Sequence, residues 1–255
     1  MTMAGGDKDA RPPLLSGTAA LYLDFDGTLA DIALHPDHVV VREPLPSLLL
    51  ALRERLAGAV AVVTGRPLAA VDALIRPARL AGAGLHGAEL RLPDGATARS
   101  ADPDGIGALA RALKDRFAGD ARLLIEDKGA GVALHFRGAP EREEECVAAM
   151  CALAAGPGLE VLVGHRVVEA RARGTNKGVA LQRLAAHAPF SGRPPVFIGD
   201  DATDEDGFGV ARELGGYGVK VGAGATGARY RFGAVGQVHE WLSESLAGLA
   251  RGSER

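Results

Sequence analysis

Two aspartates separated by one residue, Asp24 and Asp26, are the side chains most suited to chemistry in this sequence. They follow the apolar run Ala19 to Leu23, which predicts a buried strand of a parallel sheet. In open α/β sheets, ligands bind at the carboxyl ends of the strands, where this pair falls. Neighbouring carboxylates repel each other unless a metal ion or a proton intervenes. The pair therefore predicts a metal or acid–base site, and the structural alternative is an acidic turn capped by Thr28.

A second acidic group follows another predicted strand, Val196 to Ile198. Five acids occur within seven residues after Gly199, and their oxygens are hard ligands of the kind that Mg²⁺ prefers. An exposed acidic loop with aspartates that cap a helix is the structural alternative. The five acids are Asp200, Asp201, Asp204, Glu205 and Asp206.

A lysine at the start of a predicted helix and a threonine at the end of a predicted strand are two further polar residues at element ends. Lys177 lies just before the predicted helix Val179 to Ala186, and a cation in the first turn of a helix opposes its dipole. This placement indicates that Lys177 offsets a nearby negative charge. Thr64 begins a polar segment directly after a predicted second strand, Val60 to Val63.

The elements that must hold these residues alternate between strands and helices. Short apolar runs predict buried strands, and leucines at helical spacing predict the helices between them. Such alternation is typical of an α/β fold with a doubly wound parallel sheet. The prediction further comprises helices Leu45 to Leu56 and Leu68 to Ile75, a third strand with a hairpin over Ala83 to Arg99, a fifth strand over Gly218 to Gly222 and a closing helix over Val235 to Leu249.

The pattern changes between 102 and 172, where the order helix, strand, strand is predicted twice. That order is typical of an α+β unit with an antiparallel sheet. We therefore expect a core over 14–101 and 173–255, an inserted unit over 102–172 and a disordered N-terminus over 1–13. The inserted elements are helices Ile106 to Phe117 and Pro140 to Ala154, and strands Arg122 to Asp127, Val132 to Arg137, Leu159 to Val163 and Arg166 to Arg171.

Strand alternation places polar side chains on one face of the inserted sheet and Val132, Leu134 and Phe136 on the other. Because the helices cover one face of such a layer, the polar face stays open. A ligand-binding face and a merely solvated face both remain open interpretations. The polar residues are Glu126, Lys128, His135, Arg137, Glu169 and Arg171.

Composition excludes several classes of function. The 255-residue chain carries a formal net charge of −3 and only 4% aromatic residues, which argues against nucleic-acid binding through basic patches or stacking platforms. The first fifteen residues lack the apolar core of a signal peptide, and no apolar run approaches the ~18 residues of a membrane span. We therefore expect a monomeric, soluble, cytoplasmic protein with neither nucleic-acid nor membrane partners. Cys146 and Cys151 are predicted to be buried thiols of one helix.

Four segments together resemble the haloacid-dehalogenase-like phosphatases, in the order that this superfamily shows. They are Asp24-Phe25-Asp26-Gly27-Thr28, Thr64, Lys177 and Gly199-Asp200-Asp201. Other segments narrow the resemblance to the trehalose-6-phosphate phosphatase family, and it covers nearly the whole chain past Leu14. These segments are Leu85-His86-Gly87-Ala88-Glu89, Glu126-Asp127-Lys128-Gly129, Ala133-Leu134-His135-Phe136-Arg137, Gly174-Thr175-Asn176-Lys177-Gly178 and Gly199 to Glu205.

The resemblance implies a Rossmann-like core, a C2-type cap of αββαββ order as the inserted unit, and a role for each matched residue. Asp24 would be the nucleophile, Asp26 the general acid and base, and Lys177 the residue that orients Asp24. Thr64, Gly65 and Arg66 would bind the phosphoryl group, and His86 would contact the substrate or form a structural hydrogen bond. Mg²⁺ would be held by Asp24, Asp200 and the Asp26 carbonyl, with Asp201 and Asp204 as less certain contributors. Glu126, Lys128 and Glu169 would contact the sugar.

The implied reaction is Mg²⁺-dependent hydrolysis of trehalose 6-phosphate through an aspartyl-phosphate. Elementary electrostatics agrees with that inventory, because a carboxylate that approaches a phosphate needs cations such as Mg²⁺ and Lys177 to offset the repulsion. A related sugar phosphatase, acting for example on sucrose 6-phosphate, is the nearest alternative. A non-catalytic sugar-phosphate sensor is the alternative of another class, and the intact pair Asp24 and Asp26 argues against it.

Overall fold

The structure is a computed structural model that describes residues 10–33, 38–41, 43–99, 105–155 and 158–252. The described chain forms two compact units, one with the residues up to Ala98 and from Asn176 onward, the other Arg99–Thr175. The boundaries expected from the sequence, 102 and 172, differ from these by three residues at each end. Within the described ranges, no helix combines the length and the apolar character that a membrane span requires.

The first unit begins with short strands whose side chains are all buried, as expected for the middle of a parallel sheet. Helix α1 has its apolar residues on one face, where Leu45, Leu49 and Leu52 are buried. The elements are β1 (Ala20–Leu23), α1 (Leu45–Arg55), β2 (Val60–Val63), α2 (Leu68–Leu74), β3 (Ala81–Gly84), β4 (Glu89–Arg91) and β5 (Thr97–Arg99).

The expected continuous strand and hairpin from Ala83 is wrong at Leu85–Gly87, where the chain forms a tight turn. Leu85, His86 and Gly87 have φ angles of 53°, 54° and 102°, so three consecutive residues are in the left-handed region. Non-glycine residues rarely adopt this conformation, and it is enriched at functional sites. The turn directs the chain out of the sheet beside the Thr64 segment, because the His86 amide donates to the Thr64 carbonyl at 3.1 Å.

The second unit is a four-stranded antiparallel sheet with two helices packed on one face. The buried side chains of Val132, Leu134 and Phe136 lie in a hydrophobic core with residues of both helices, as predicted. Cys146 belongs to that core, whereas Cys151 is exposed, because five residues place it about 140° further round the helix. The elements are α3 (Ile106–Arg116), β6 (Leu124–Asp127), β7 (Gly131–His135), α4 (Glu143–Leu153), β8 (Leu159–Gly164) and β9 (Val167–Ala172), and the sheet order is β6-β7-β9-β8.

The rest of the first unit contains two elements that the sequence did not predict. Helix α6 begins inside the acidic run, and Gly207 and Gly209 interrupt its apolar pattern. Strand β12 has only three residues. The elements are α5 (Lys177–Ala185), β10 (Pro195–Gly199), α6 (Asp204–Glu213), β11 (Tyr217–Val221), β12 (Tyr230–Phe232) and α7 (Val235–Gly252).

The sheet of the first unit has the order β12-β11-β10-β1-β2-β3-β4-β5. Strands β12 to β3 pair in parallel, and β4 pairs with β3 in the antiparallel sense. Since β1 lies between β10 and β2, the segments that follow these three strands meet at one edge. This is the predicted doubly wound sheet, and it brings residues from distant parts of the chain together.

The N-terminal segment is described from residue 10 onward, so the expected disorder of 1–13 falls mostly outside the described residues. Trp241, buried on α7, donates its indole N–H to the carbonyl oxygens of Pro12 and Pro13, at 3.2 Å each. Pro12 is itself buried. His35 of the predicted polar loop also lies outside the described residues.

Candidate active site

Asp24 directly follows the central strand β1, and its side chain is buried, with 4% exposure. Its amide donates to the carbonyl of Ile198 at 2.9 Å, which continues the pairing with β10. The chain then turns, because the amides of Leu29 and Ala30 both donate to the Phe25 carbonyl. This turn ends the strand and leaves the Asp24 carboxylate at the sheet edge where β10 also ends.

Lys177 is a buried cation beside the Asp24 carboxylate. Its Nζ lies 3.0 Å from Asp24 Oδ1 and 2.7 Å from Asp204 Oδ1. Lys177 is the first residue of α5, and Asn176 caps this helix by accepting from the Val179 amide at 2.7 Å. Burial alone would lower the pKa of Lys177, but the charges of Asp204 and Asp24 hold it well above its usual value. The two carboxylates thus supply the negative charge that the position of Lys177 predicted.

Asp204 organises the acidic loop from within. It is fully buried, and its Oδ2 accepts the amides of Asp200 and Asp201 at 2.9 and 3.0 Å, while Oδ1 accepts from Lys177. A side chain at Gly199 would collide with this carboxylate, which explains the glycine there. Burial raises the pKa of Asp204 to about 6, although Lys177 opposes the shift. Sequence reasoning assigned Asp204 a minor role, whereas the structure makes it the link between Lys177 and the loop.

Asp200 and Asp201 occupy different environments although they are neighbours. The Asp200 carboxylate lies against Gly27, whose φ of 74° and missing side chain allow the close approach. Burial, Asp201 and Asp204 raise the pKa of Asp200 to about 7. Asp201 instead accepts the Thr203 amide and hydroxyl at 2.7 and 2.6 Å. Burial raises its pKa, but Lys177 and the Thr203 hydrogen bonds outweigh burial and lower it to about 2.

The carboxylates of Asp24, Asp200 and Asp204 each offer an oxygen within 4.8 Å of the others. These hard donors fit Mg²⁺, and burial, together with the charges of neighbouring carboxylates, raises the pKa of all three carboxyl groups. Because both Asp204 oxygens already accept hydrogen bonds, Asp24 and Asp200 are better placed to hold a cation, with Asp204 positioning them. The residues therefore fit a divalent cation.

Asp26 points away from this cluster and pairs with Arg66. The guanidinium donates twice to the carboxylate, from Nε to Oδ2 at 2.6 Å and from Nη2 to Oδ1 at 2.7 Å. Thr64 is buried, and its hydroxyl accepts the Arg66 amide at 3.1 Å. The His86 ring packs on Gly65, where a side chain would collide with Nε2. Predicted phosphoryl-binding residues and the predicted general acid thus meet at the ends of β1, β2 and β3.

Sequence reasoning missed Lys220, a buried lysine of β11. Its Nζ donates to the carbonyl of Asp200 and, at 2.8 Å, to that of Val221. Its charge lies near Asp200, where it lowers the carboxyl pKa against the larger effect of burial. A lysine inside the apolar strand Tyr217–Val221 was the signal that could have identified it.

The predicted sugar contacts form a separate polar cluster within the second unit. Lys128 Nζ donates to Glu169 Oε2 at 3.0 Å, and His135 Nε2 lies 3.0 Å from Glu126 Oε2. Register places Glu126, Ala133 and Glu169 side by side across three strands, on the face opposite the helices. Burial would raise the pKa of Glu126, but the His135 hydrogen bond and the Lys128 charge lower it. The polar face is thus an ordered network of side chains.

A family model and several curated relatives match this chain over most of its length. The family model described as trehalose-phosphatase matches residues 22–231. Trehalose-6-phosphate phosphatase of Escherichia coli (strain K12) is 41% identical over 244 residues, which cover 95% of this chain and 92% of that protein. A probable trehalose-phosphate phosphatase of Sinorhizobium fredii is 44% identical over 205 residues, covering 80% of this chain and 77% of that protein.

Solved structures show the same fold. A trehalose-6-phosphate phosphatase related protein superposes with a TM-score of 0.73 at 25% identity, covering 91% of this chain and 99% of that one. The C-terminal domain of the C. albicans trehalose-6-phosphate phosphatase superposes with a TM-score of 0.77 at 22% identity, covering 90% and 92% of the two chains. These likenesses confirm the predicted fold class.

Proposed function

This chain belongs to the trehalose-phosphatase family, and from that premise we propose that it hydrolyses trehalose 6-phosphate to trehalose and phosphate with Mg²⁺ as its cofactor. Family membership and the named relatives make it a phosphatase. The observation that carries the proposal is the buried Asp24 carboxylate, held 3.0 Å from Lys177 at the end of the central strand. A carboxylate buried against a cation, in a cluster that fits a second cation, is suited to attack on a phosphate ester.

In the first step, Asp24 attacks phosphorus and forms an aspartyl-phosphate, while the bond from phosphorus to the sugar oxygen breaks. Asp26 transfers a proton to that oxygen, so trehalose leaves as a neutral alcohol. In the second step, Asp26 accepts a proton from water, which attacks the phosphorus and releases phosphate and the Asp24 carboxylate. The side chains of Asp24 and Asp26 point to different surroundings, which supports separate roles for them.

Electrostatics explains why Asp24 needs its neighbours. A carboxylate ~4 Å from one phosphate charge is repelled by roughly 4 kcal/mol at an effective dielectric constant near 20. The Lys177 Nζ already contacts the Asp24 carboxylate before substrate binds, so its positive charge offsets part of this repulsion. Asp24 and Asp200 would hold Mg²⁺, which would supply the remaining positive charge when bound.

The Thr64 segment is suited to hold the phosphoryl oxygens. Thr64 follows β2, the neighbour of β1, and the approach of Gly65 to the His86 ring leaves no room for a side chain there. We assign the Thr64 hydroxyl and the Gly65 amide to the phosphoryl group and His86 to the support of this loop. We assign sugar binding to the polar cluster of the second unit: Glu126, Lys128 and Glu169.

A phosphate-release assay across a panel of sugar phosphates tests the function. With Mg²⁺ present, trehalose 6-phosphate should be hydrolysed much faster than sucrose 6-phosphate or glucose 6-phosphate. Exhaustive chelation should abolish turnover, and Mg²⁺ should restore it. Equal rates across the panel would refute the substrate assignment, and activity that survives chelation would refute the metal requirement.

The variant Asp24→Asn tests the mechanism, because it keeps the size of the side chain and removes its charge. Turnover should fall to background, and no phosphorylated protein should be trapped by acid quenching of a substrate mixture. Asp94→Asn is the matched control, since Asp94 is an exposed turn residue whose Oδ1 accepts the Ala96 amide at 2.9 Å, a bond that asparagine retains. A monomeric cytoplasmic enzyme that binds neither nucleic acid nor membranes stays a prediction of the sequence.

A further inference from the structure

We propose that Arg66 positions the Asp26 carboxylate and, through Asp26, assists protonation of the leaving group. In this role its side chain does not bind the phosphoryl group, although Arg66 follows the Thr64 segment in the sequence. The inference rests on the proposed function, which makes Asp26 the general acid and base. The side chain of Arg66 holds the general acid Asp26, whereas its backbone belongs to the loop assigned to the phosphoryl group.

The side chain of Arg66 holds the Asp26 carboxylate at two points. The two hydrogen bonds, 2.6 and 2.7 Å long, run from Nε and Nη2 to the two carboxylate oxygens. A guanidinium fork fixes the plane and the rotation of a carboxylate, which a single donor cannot do. Asp26 is 37% exposed while Arg66 is 15% exposed, so the carboxylate has an open side and the guanidinium is the more enclosed partner.

Arg66 is itself held in place by an aromatic ring and by two hydrogen bonds of its backbone. Its guanidinium carbon lies 5.7 Å from the centre of the Phe25 ring, and Phe25 is fully buried. Its amide donates to the Thr64 hydroxyl at 3.1 Å, and its carbonyl accepts the Leu85 amide at 3.1 Å. The backbone of Arg66 is therefore part of the loop assigned to the phosphoryl group, while its fork is committed to Asp26. Arg66 therefore connects the loop assigned to the phosphoryl group with the general acid Asp26.

This arrangement predicts an effect that depends on the leaving group. A sugar oxygen leaves as an alkoxide unless Asp26 protonates it, whereas p-nitrophenolate is a stable anion that leaves without a proton. The constant kcat/KM reports the steps up to release of the first product, so water activation by Asp26 does not enter it. Loss of Arg66 should therefore lower kcat/KM for a sugar phosphate and leave that for p-nitrophenyl phosphate almost unchanged.

The experiment compares Arg66→Gln, Asp26→Asn and the double variant on both substrates. Arg66→Gln should lower kcat/KM for trehalose 6-phosphate on the order of 10²-fold, the loss expected from a misplaced catalytic group, and for p-nitrophenyl phosphate less than about threefold. The double variant should be no slower than Asp26→Asn alone, because a residue that acts through Asp26 has nothing left to position. Arg66→Lys, which keeps the charge but not the fork, should show the same selectivity to a smaller degree and serves if Arg66→Gln does not fold.

The matched control is Arg91→Gln, which breaks another two-point arginine–aspartate pair in the same unit, made by Nη1 and Nη2 instead of Nε and Nη2. Arg91 donates to the two oxygens of Asp72 at 2.6 and 2.7 Å. This variant should lower the melting temperature but keep the ratio of the two kcat/KM values. Equal losses on both substrates in the Arg66 variants, or losses that multiply in the double variant, would overturn the proposal and assign Arg66 to the phosphoryl group. Because any alkyl phosphate that the enzyme hydrolyses can replace trehalose 6-phosphate, a wrong substrate assignment is distinguished from a wrong role for Arg66.

Discussion

Replacing Asp200 with Asn should stabilise the metal-free protein near neutral pH while it abolishes turnover. Asp200 is largely buried and lies near the carboxylates of Asp201 and Asp204. Burial first, and then the two neighbouring charges, raise its pKa from the usual 3.8 to about 7. At a pH above that value, the folded protein must hold a charge that the unfolded chain carries at no such cost. Asn removes the charge and keeps the shape of the side chain.

The size of the effect follows from the pKa difference. One pKa unit corresponds to about 1.4 kcal/mol, so the rise from 3.8 to about 7 corresponds to roughly 4 kcal/mol. Protonation of one carboxylate also relieves the repulsion on its neighbours, Asp24 and Asp204, so part of this energy is shared among them. We therefore expect Asp200→Asn to raise the free energy of unfolding by about 2–4 kcal/mol at about pH 8 without metal.

The pH dependence has a definite sign. Between the unfolded value of 3.8 and the folded value of about 7, the folded state binds more protons than the unfolded state, so the stability of the unmodified protein falls as pH rises. Below about pH 4, Asp200 is protonated in both states, and the advantage of Asn vanishes. The gain should thus be absent in acid, grow up to about pH 7 and stay constant above it.

Urea unfolding followed by circular dichroism, with chelator present, measures the effect at several pH values. Asp94→Asn is the control, and as an exposed turn substitution it should change stability by less than ~0.5 kcal/mol at every pH. Saturating Mg²⁺ should stabilise the unmodified protein and reverse the order of the two, since Asp200→Asn loses a cation ligand. A variant that is no more stable at about pH 8, or whose gain does not depend on pH, would refute the idea that burial and the neighbouring carboxylates raise the pKa of Asp200.

Three further substitutions test other parts of the structure. Lys177→Met should lower the free energy of unfolding by about 3–5 kcal/mol at neutral pH, because it leaves buried carboxylates without their cation; an unchanged urea midpoint would contradict the buried ion pairs. Gly27→Ala should cost at least ~1–2 kcal/mol through its left-handed φ and should also abolish turnover by displacing Asp200; full activity would show that this contact is dispensable. Lys128→Ala or Glu169→Ala should lower kcat/KM for trehalose 6-phosphate by an amount equivalent to about 1.5–3 kcal/mol of transition-state stabilisation, the range for a charged hydrogen bond. Hydrolysis of p-nitrophenyl phosphate should stay unchanged. Equal losses on both substrates would show that the pair serves the fold.

Buried apolar strands were the most predictable part of the fold. Val60–Val63 was predicted with its observed bounds, because a parallel strand covered on both faces needs a continuous apolar run. Helix α6 was missed because its first turn carries three acids, Asp204, Glu205 and Asp206, which conceal the apolar period. The turn at Leu85–Gly87 was missed because its left-handed angles depend on hydrogen bonds to Thr64 and Arg66. Local patterns cannot reveal a conformation that depends on hydrogen bonds to a loop distant in sequence.

The site residues were named from the sequence, but their partners were not all predictable. Types and spacing identified Asp24, Asp200 and Lys177, since acids at strand ends and a lysine at a helix start are hard to explain by folding alone. Which acid meets which cation depends on helix α5 packing beside α6, which the sequence did not predict. The pairing of Lys177 with Asp204, and that of Arg66 with Asp26, therefore came only from the structure.

The position of β1 in the sheet has a consequence for biosynthesis. Ala20 pairs with Pro195, so the central strand acquires its second neighbour only after the entire second unit has been translated. Until then a nascent chain presents one side of Ala20–Leu23, four residues that are buried in the finished protein, as an open apolar strand edge. Pairing across such a long separation is slow, and exposed edges promote aggregation. Truncated chains that end before Pro195 should therefore be more prone to aggregation than full-length chains.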